Sequence, residues 1–268
     1  MIYFQQIDEN HLNDPWIVMV HGFSHDSRYF TAQVPIFKYN YRILLVDLRG
    51  HGQSANVLGS YGLEEYTNDL AEVLETTGIN SFHYWGTHTG AVVGIILALR
   101  CPEKFRSLIL EGGFFLGFPM PRVEELYARA RSLAQSQGVP AALEDWLQHA
   151  DWFAYIQNHP KECRADEHNR MTAAFTGGPW LSPQNRISLA SDHRRCSSLK
   201  IPLLVYNGVQ DLPDFKKAAE YLQNLFPLVE FREIPHAGGF PAWENPDMVN
   251  SIVRKFMLAA AKTDVPAN

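Results

Sequence analysis

The chain has 268 residues, of which 46% are hydrophobic, and a formal net charge of −6. A chain of this size can bury the core of one α/β domain, and its basic residues, scattered among acidic ones, exclude a nucleic-acid groove. Its three cysteines, Cys101, Cys163 and Cys196, are far apart and have neither zinc-binding nor disulfide-framework spacing.

The amino-terminal residues have neither the basic region nor the long apolar region of a signal peptide. No later apolar run approaches the roughly 20 residues that a membrane helix needs. The sequence also has no nucleotide, flavin or metal motif. We therefore expect a soluble, cytoplasmic protein that binds no cofactor and has no membrane or nucleic-acid partner.

Short apolar runs rich in β-branched residues predict strands that are buried on both faces. These runs lie at 16–20, 42–46, 82–85, 107–110 and 202–206. Segments with helical periodicity lie between them, at 63–77 and 91–99. Alternating strands and helices predict a mostly parallel sheet with right-handed crossovers.

The alternation stops after Gly112 and Gly113. From 114 to about 199 no strand pattern is found, whereas 123–137 and 141–153 are typical of helices. We interpret 114–199 as a helical cap inserted into an α/β core that comprises 1–113 and 200–268. The core pattern then resumes with a helix at 215–225, a strand at 229–234 and a last helix at 246–260.

Five short motifs follow the predicted strands in order. They are His21-Gly22-Phe23, Asp47-Leu48-Arg49-Gly50-His51-Gly52-Gln53-Ser54, Gly86-Thr87-His88-Thr89-Gly90, Asn207-Gly208-Val209-Gln210-Asp211 and Pro235-His236-Ala237-Gly238-Gly239. With these motifs the chain resembles the α/β-hydrolase family from about residue 16 to 257. The resemblance implies an α/β-hydrolase fold, with a central sheet flanked by helices and an inserted cap.

The resemblance also implies roles for single residues. His236 matches the family's base and Asp211 matches the acid that holds this imidazole in one tautomer. The backbone amides of Phe23 and Thr89 match the oxyanion hole, which lies at a helix N-terminus and faces developing negative charge.

Substrate contacts are expected from the loop after the first core strand and from the cap. Ser24 and His25 lie where the family often places substrate-contacting groups, and His25 could donate to a bound carbonyl. The cap is rich in aromatic residues, and we expect Phe115, Trp152 and Trp180 to line an apolar pocket above the third motif.

His88 stands where the G-x-S-x-G nucleophile elbow has serine. A neutral imidazole can attack an acyl centre without prior deprotonation, so His88, Asp211 and His236 could form an atypical catalytic group in a hydrolase. The small, largely apolar substrate would be an ester, a lactone or another carbonyl compound, and the protein a monomer or homodimer. Two alternatives stay open: His88 and His236 could transfer protons in a cofactor-free lyase, isomerase or dioxygenase, or the protein could bind a ligand without catalysis.

Overall fold

The structure is a computed structural model that describes residues 1–8, 13–182 and 193–263. Its centre is a seven-stranded sheet with the order β1-β3-β2-β4-β5-β6-β7. The strands are β1 (Phe4–Ile7), β2 (Trp16–Val20), β3 (Arg42–Val46), β4 (Phe82–Thr87), β5 (Phe105–Glu111), β6 (Leu203–Gly208) and β7 (Val229–Ile234). β1 runs antiparallel to β3, and all other neighbours are parallel. The predicted mostly parallel sheet is thus confirmed.

Helices connect the strands and cover the sheet. Within the described residues they are α1 (Val34–Phe37), α2 (Leu63–Thr77), α3 (Thr89–Arg100), α4 (Pro121–Gln137), α5 (Val139–His149), α6 (Ala154–Asn158), α7 (Ala165–Ala173), α8 (Gly178–Leu181), α9 (His193–Ser198), α10 (Pro213–Leu225), α11 (Pro241–Glu244) and α12 (Pro246–Thr263). None of the described helices is long and apolar enough to cross a membrane.

The alternation of side chains along the strands divides the core into two layers. Ile17 and Met19 of β2 face one layer, which also contains Val253 of α12 and the aromatic residues of the cap. Val18 and Val20 face the other layer, against α2 and α3. Every residue of β2 is buried, as expected for a parallel strand covered on both faces.

The cap helices α4 to α8 lie between β5 and β6, as the loss of strand pattern predicts. Part of the predicted cap, 183–192, lies outside the described residues, as do residues 264–268 of the predicted core. β1 was missed by the sequence interpretation because it is a four-residue edge strand in which Gln5 and Gln6 are exposed.

Candidate active site

The turn between β4 and α3 is held by two glycines. A Cβ atom at Gly86 would lie 2.4 Å from the carbonyl oxygen of Gly90, and one at Gly90 would lie 2.2 Å from the carbonyl oxygen of Val20. Only glycine fits at either position, so the backbone turns tightly and lifts His88 above the sheet. His88 has φ 46° and ψ −105°, a strained conformation for a residue with a side chain.

The imidazole of His88 lies in an aromatic enclosure. Its ring centroid is 4.9 Å from that of Trp152, 5.1 Å from that of Phe215 and 5.1 Å from that of Phe240. On another side the ring lies over Gly112, where an added Cβ would approach Nε2 to 2.5 Å. His88 is 2% exposed. The space that was expected to be a pocket between cap and sheet is therefore filled by side chains at this point.

His88 is electrically neutral in this environment. Burial lowers its pKa to about 3, and the nearby Gly239 peptide opposes this only weakly. Neither ring nitrogen has a partner of hydrogen-bonding geometry among the described residues. His88 therefore presents a free lone pair at any pH above the acidic range.

The loops that carry Asp211 and His236 are adjacent, since the Gln210 amide donates to the Ala237 carbonyl at 3.0 Å, but no hydrogen bond joins the two side chains in the described residues. Asp211 follows β6 and is buried, and its carboxylate accepts hydrogen bonds from Asn207 Nδ2 at 2.8 Å and from the Leu212 amide at 2.7 Å. His236 follows β7, has φ 54° and is exposed. Within the described part of the chain, Asp211 makes no hydrogen bond to His236, which differs from the expected orientation of a base by its acid.

Two physical features account for this difference. Burial raises the pKa of Asp211 to about 7, and its hydrogen bonds to Asn207 and Leu212 offset this only in part. A carboxyl group held in this way is a weak partner for an imidazole. His236 has a positive φ and an exposed side chain, and its ring makes no contact with that of His88 among the described residues. The roles of His236 and Asp211 as base and acid stay predictions.

The two peptide groups expected in the oxyanion hole lie near the elbow. Thr89 is the first residue of α3, directly after His88. The backbone before Phe23 is close to the same side chain, because a Cβ atom at Gly22 would lie 3.2 Å from His88 Cβ and 3.3 Å from His88 Nδ1. His88 thus has both candidate amides as backbone neighbours.

Ser24 and His25 are buried, and each is bonded to a cap residue. Ser24 Oγ accepts a hydrogen bond from Trp146 Nε1 at 3.1 Å. His25 Nε2 lies 2.9 Å from Nε2 of His168 on α7, so one nitrogen donates and the other accepts. Burial lowers the pKa of His168 to about 4 and that of His25 well below its usual 6.5, with His168 and His88 as further causes for His25. Both rings are neutral. His168 was not singled out from sequence, because only the fold brings it to residue 25.

The three aromatic residues expected to line the pocket differ in position. Trp152 packs on His88 and is stacked on Phe215 at 4.9 Å. Trp180 packs instead on Phe23 and Trp146, which are not among the ring contacts of His88.

The expectation for Phe115 is not met by its position. The residue belongs to the core layer on the α2 and α3 side of the sheet, where its ring is 6.3 Å from that of Tyr221. The physical reason is that the chain leaving β5 turns Phe115 toward α10 before the cap begins.

Two buried carboxyl groups near the site were also missed by the sequence interpretation. Glu111, at the end of β5, accepts hydrogen bonds from Tyr29 Oη at 2.5 Å and from the Ala242 amide at 2.7 Å. Glu244 accepts from the amides of Gly238 at 2.6 Å and Phe240 at 3.2 Å. Burial raises the pKa of Glu111 to about 8 and that of Glu244 well above 4.5. Together they hold the segment after His236 against the sheet.

Other ligand sites are limited. In the ranges that the structure describes, no three His, Cys, Asp or Glu side chains lie close enough together to hold a metal ion. A depression of about 550 Å³ on the cap does not include His88 or the rings packed on it. It is lined by Glu144, Leu147, Gln148, Gln157, Asn169, Arg170 and Ala173.

A mostly parallel sheet, a glycine-held turn from strand to helix and a cap after β5 together define the class of α/β hydrolases. The family model described as alpha/beta hydrolase fold matches residues 15–246. The chain belongs to this family.

Both named relatives and solved structures resemble the chain, at sequence identities of 20–28% for those described below. The putative carbamate hydrolase RutD of Azorhizobium caulinodans is 22% identical over 90% of each chain. The 2-succinyl-6-hydroxy-2,4-cyclohexadiene-1-carboxylate synthase of Pectobacterium atrosepticum is 28% identical over 77% of this chain and 82% of its own. The structure of the enol-lactonase from Burkholderia xenovorans aligns with a TM-score of 0.77 and 21% identity over 96% of each chain. That of MenH from S. aureus aligns with a TM-score of 0.82 and 20% identity, over 97% of this chain and all of the other.

Proposed function

We propose that this chain is an α/β-hydrolase enzyme that acts on a small ester, lactone or carbonyl compound, with His88 in the place of a nucleophilic serine. The observation that supports it best is the neutral imidazole at the tip of the elbow, with both ring nitrogens unbonded among the described residues. A serine at this position needs a neighbouring base before it can attack, whereas a neutral imidazole does not. The exposed position of His236 therefore does not prevent the first step.

The proposed reaction has two steps. A lone pair on one nitrogen of His88 attacks the acyl carbon, the bond to the leaving oxygen breaks, and the proton on the other ring nitrogen goes to the leaving alkoxide. Water then attacks the acyl-imidazole, the carbon–nitrogen bond breaks, and the acid and the neutral imidazole are released. The amides of Phe23 and Thr89 are the proposed donors to the oxyanion, each worth about 3 kcal/mol.

His236 is proposed to activate the water in the second step. It has to turn inward toward Asp211, and such a movement is supported by the φ of 54°, because leaving this strained conformation would lower the free energy of the loop. Burial raises the pKa of Asp211, and the approach of His236 would lower it by offering the carboxylate a partner.

The named relatives support an acyl substrate. Carbamates, esters and lactones share a carbonyl carbon bonded to an atom that leaves on hydrolysis, and proteins named for such substrates occur among the relatives and structural neighbours. The attack proposed for His88 requires the same centre.

Rapid quenching with an activated p-nitrophenyl ester tests the proposal. We expect mass spectrometry to detect an acyl group on the peptide that contains His88, and no adduct in His88→Ala. His236→Ala should still form the adduct but hydrolyse it at least tenfold more slowly. The proposal fails if His88→Ala turns over the ester as fast as the wild type.

A second candidate is ligand binding without turnover. It is favoured by the separation of His236 from both Asp211 and His88. His88→Ser distinguishes the two functions, because it restores a conventional nucleophile. A large gain in ester hydrolysis would mean that acid, base and oxyanion donors can still assemble, whereas an inactive His88→Ser variant with tight ligand binding supports the second candidate.

A further inference from the structure

The ring of Phe240 lies at the centre of three histidines. Its centroid is 5.0 Å from the imidazole of His25, 5.1 Å from that of His88 and 5.7 Å from that of His168. These histidines come from three separate elements, the loop after β2, the elbow and the cap helix α7. A single phenyl ring therefore fills the space where all three meet.

Two further rings in contact with Phe240 lie nearly parallel to it. Phe153 is stacked at 5.0 Å with an angle of 14° between the planes, and Trp152 at 5.6 Å with an angle of 26°. The space that Phe240 occupies is thus a slot shaped for a planar ring. Both stacking partners belong to the cap, so the slot is formed only when cap and core are in contact.

The rings that contact Phe240 carry polar atoms that a phenyl ring cannot bind. Among the described residues, five nitrogens on these rings have no hydrogen-bond partner: Nδ1 of His25, both nitrogens of His88, Nδ1 of His168 and Nε1 of Trp152. Buried polar atoms without partners are uncommon because each loses its bonds to water. Their concentration around one ring indicates that another occupant supplies their partners.

The rings that surround the slot carry no formal charge, because the three histidines are buried and neutral. Glu244 accepts a hydrogen bond from the Phe240 amide at 3.2 Å, and burial raises the pKa of this carboxyl group well above its usual 4.5. The three imidazoles can each donate or accept, since the tautomer of a neutral histidine adapts to its partner. An ionised ligand would lose its hydration there without gaining an ion pair.

We infer that the ligand of this site is an uncharged, planar aromatic compound with hydrogen-bonding atoms on its edge, and that its ring takes the place of the Phe240 ring. The inference rests on the proposed function in that it names the substrate class of the same site, with the acyl group directed at His88. Phe240 then keeps the slot closed when the ligand is absent, and its segment moves when the ligand enters.

Emptying the slot by mutation tests this directly. The probe is 2-pyridone, which is planar and neutral and has a carbonyl and an N–H on its edge. Phe240→Ala should bind it at least tenfold more tightly than benzene, a difference of about 1.4 kcal/mol in binding free energy. Benzoate, which is charged, should bind more weakly than either. Calorimetry measures all three without any turnover.

Phe215→Ala is the matched control. Phe215 is also buried and stacked on Trp152, but of the three histidines it contacts only His88. Its removal opens a space lined by one imidazole, so this variant should not prefer 2-pyridone over benzene by more than threefold. The same preference in both variants, or a preference of Phe240→Ala for benzene or benzoate, would overturn the inference.

Two further measurements keep the test independent of folding and of catalysis. If Phe240→Ala does not fold, Phe240→Leu is titrated instead, and histidine ring nitrogen shifts of the wild type are recorded with 2-pyridone. We expect shifts at His25, His88 and His168, and unchanged shifts at saturating 2-pyridone would overturn the inference. Because 2-pyridone is an aromatic lactam with no alkoxide leaving group, a failure to bind it leaves the acyl adduct formed on His88 by the activated ester as a separate result.

Discussion

His25 and His168 share a hydrogen bond between their Nε2 atoms at 2.9 Å, although 143 positions separate them in the chain. One lies in the loop after β2 and the other on α7 of the cap. Since both rings are buried and neutral, the proton between them is held by one nitrogen and accepted by the other. This bond joins the cap to the side of the core that carries the elbow.

The energetic coupling of this pair is testable by a double-mutant cycle. His25→Phe and His168→Phe should each destabilise the protein by about 1–3 kcal/mol, because each leaves a buried nitrogen without its partner. The double variant removes both and should be about 1 kcal/mol more stable than the sum of the single effects predicts. Urea unfolding of the four proteins measures the coupling, and strictly additive effects would show that the two rings do not share a proton.

The pH dependence of Asp211→Asn should distinguish a buried neutral acid from one that orients a base. The pKa of Asp211 is raised from 3.8 to about 7 in the folded state, so between these pH values only the unfolded state releases the proton. The wild type therefore loses roughly 1.4 kcal/mol of stability per pH unit as the pH rises through this window. Asp211→Asn has no carboxyl group at this position, so its stability does not fall in this way, and it should gain stability relative to the wild type from pH 4 to pH 7.

Asp214→Asn is the control for this experiment. Asp214 is as buried as Asp211, at 6% exposure, and accepts hydrogen bonds from the amides of Arg122 and Val123. Its replacement is the matched change from carboxyl to amide at a second buried position that also accepts two hydrogen bonds. If Asp211→Asn instead becomes relatively less stable above pH 6, Asp211 is ionised and paired, as in an assembled triad.

The contact between Gly112 and His88 predicts a second coupling. An alanine at residue 112 would place its Cβ 2.5 Å from His88 Nε2, and the φ of 55° adds backbone strain. We expect Gly112→Ala to cost about 2–4 kcal/mol in the wild type, and about 1–2 kcal/mol in a His88→Ala background where only the strain remains. Gly78→Ala, with φ 69° and nothing within 4 Å of its added Cβ, measures that strain alone. Equal costs in both backgrounds would contradict the position of the imidazole.

His88→Leu should stabilise the protein while abolishing the acyl adduct. Leucine removes two buried nitrogens that have no partner in the described residues, which is expected to raise the free energy of unfolding by about 1 kcal/mol. Opposite effects on stability and activity are typical of the replacement of a functional residue. Replacement of a structural histidine would lower both the stability and the activity of the protein. Chemical denaturation and the rapid-quench assay together check the sign of each effect, and a loss of stability above 1 kcal/mol contradicts the expectation.

The parts of the fold that were predicted have local signals. The helix at 63–77 matches α2 because Gly62 precedes it and Gly78, with φ 69°, ends it. The elbow was found for a similar reason, since Gly86 and Gly90 are required by contacts within the turn and its neighbour strand. Such signals lie within a few residues of the feature that they predict.

The parts of the site that were missed depend on distant contacts. Nothing near His168 in sequence indicates that it meets His25, and nothing near Phe240 indicates that its ring fills the space beside His88. His236 has a positive φ and an exposed side chain, and the glycines that follow it, Gly238 and Gly239, pack against Tyr155 and Trp152 of the cap. Sequence spacing locates that histidine but does not set the direction of its ring.

The backbone of the elbow is held by Gly86 and Gly90 and by the carbonyl oxygen of Val20. These contacts are between backbone atoms and do not involve the imidazole of His88. A library of substitutions at residue 88 would therefore vary the reactive atom while the loop geometry stays constant. Side chains that end in sulfur, oxygen, nitrogen or carbon could then be compared at one position of one backbone, so that any difference in their reaction with an ester would come from the side chain at residue 88 alone.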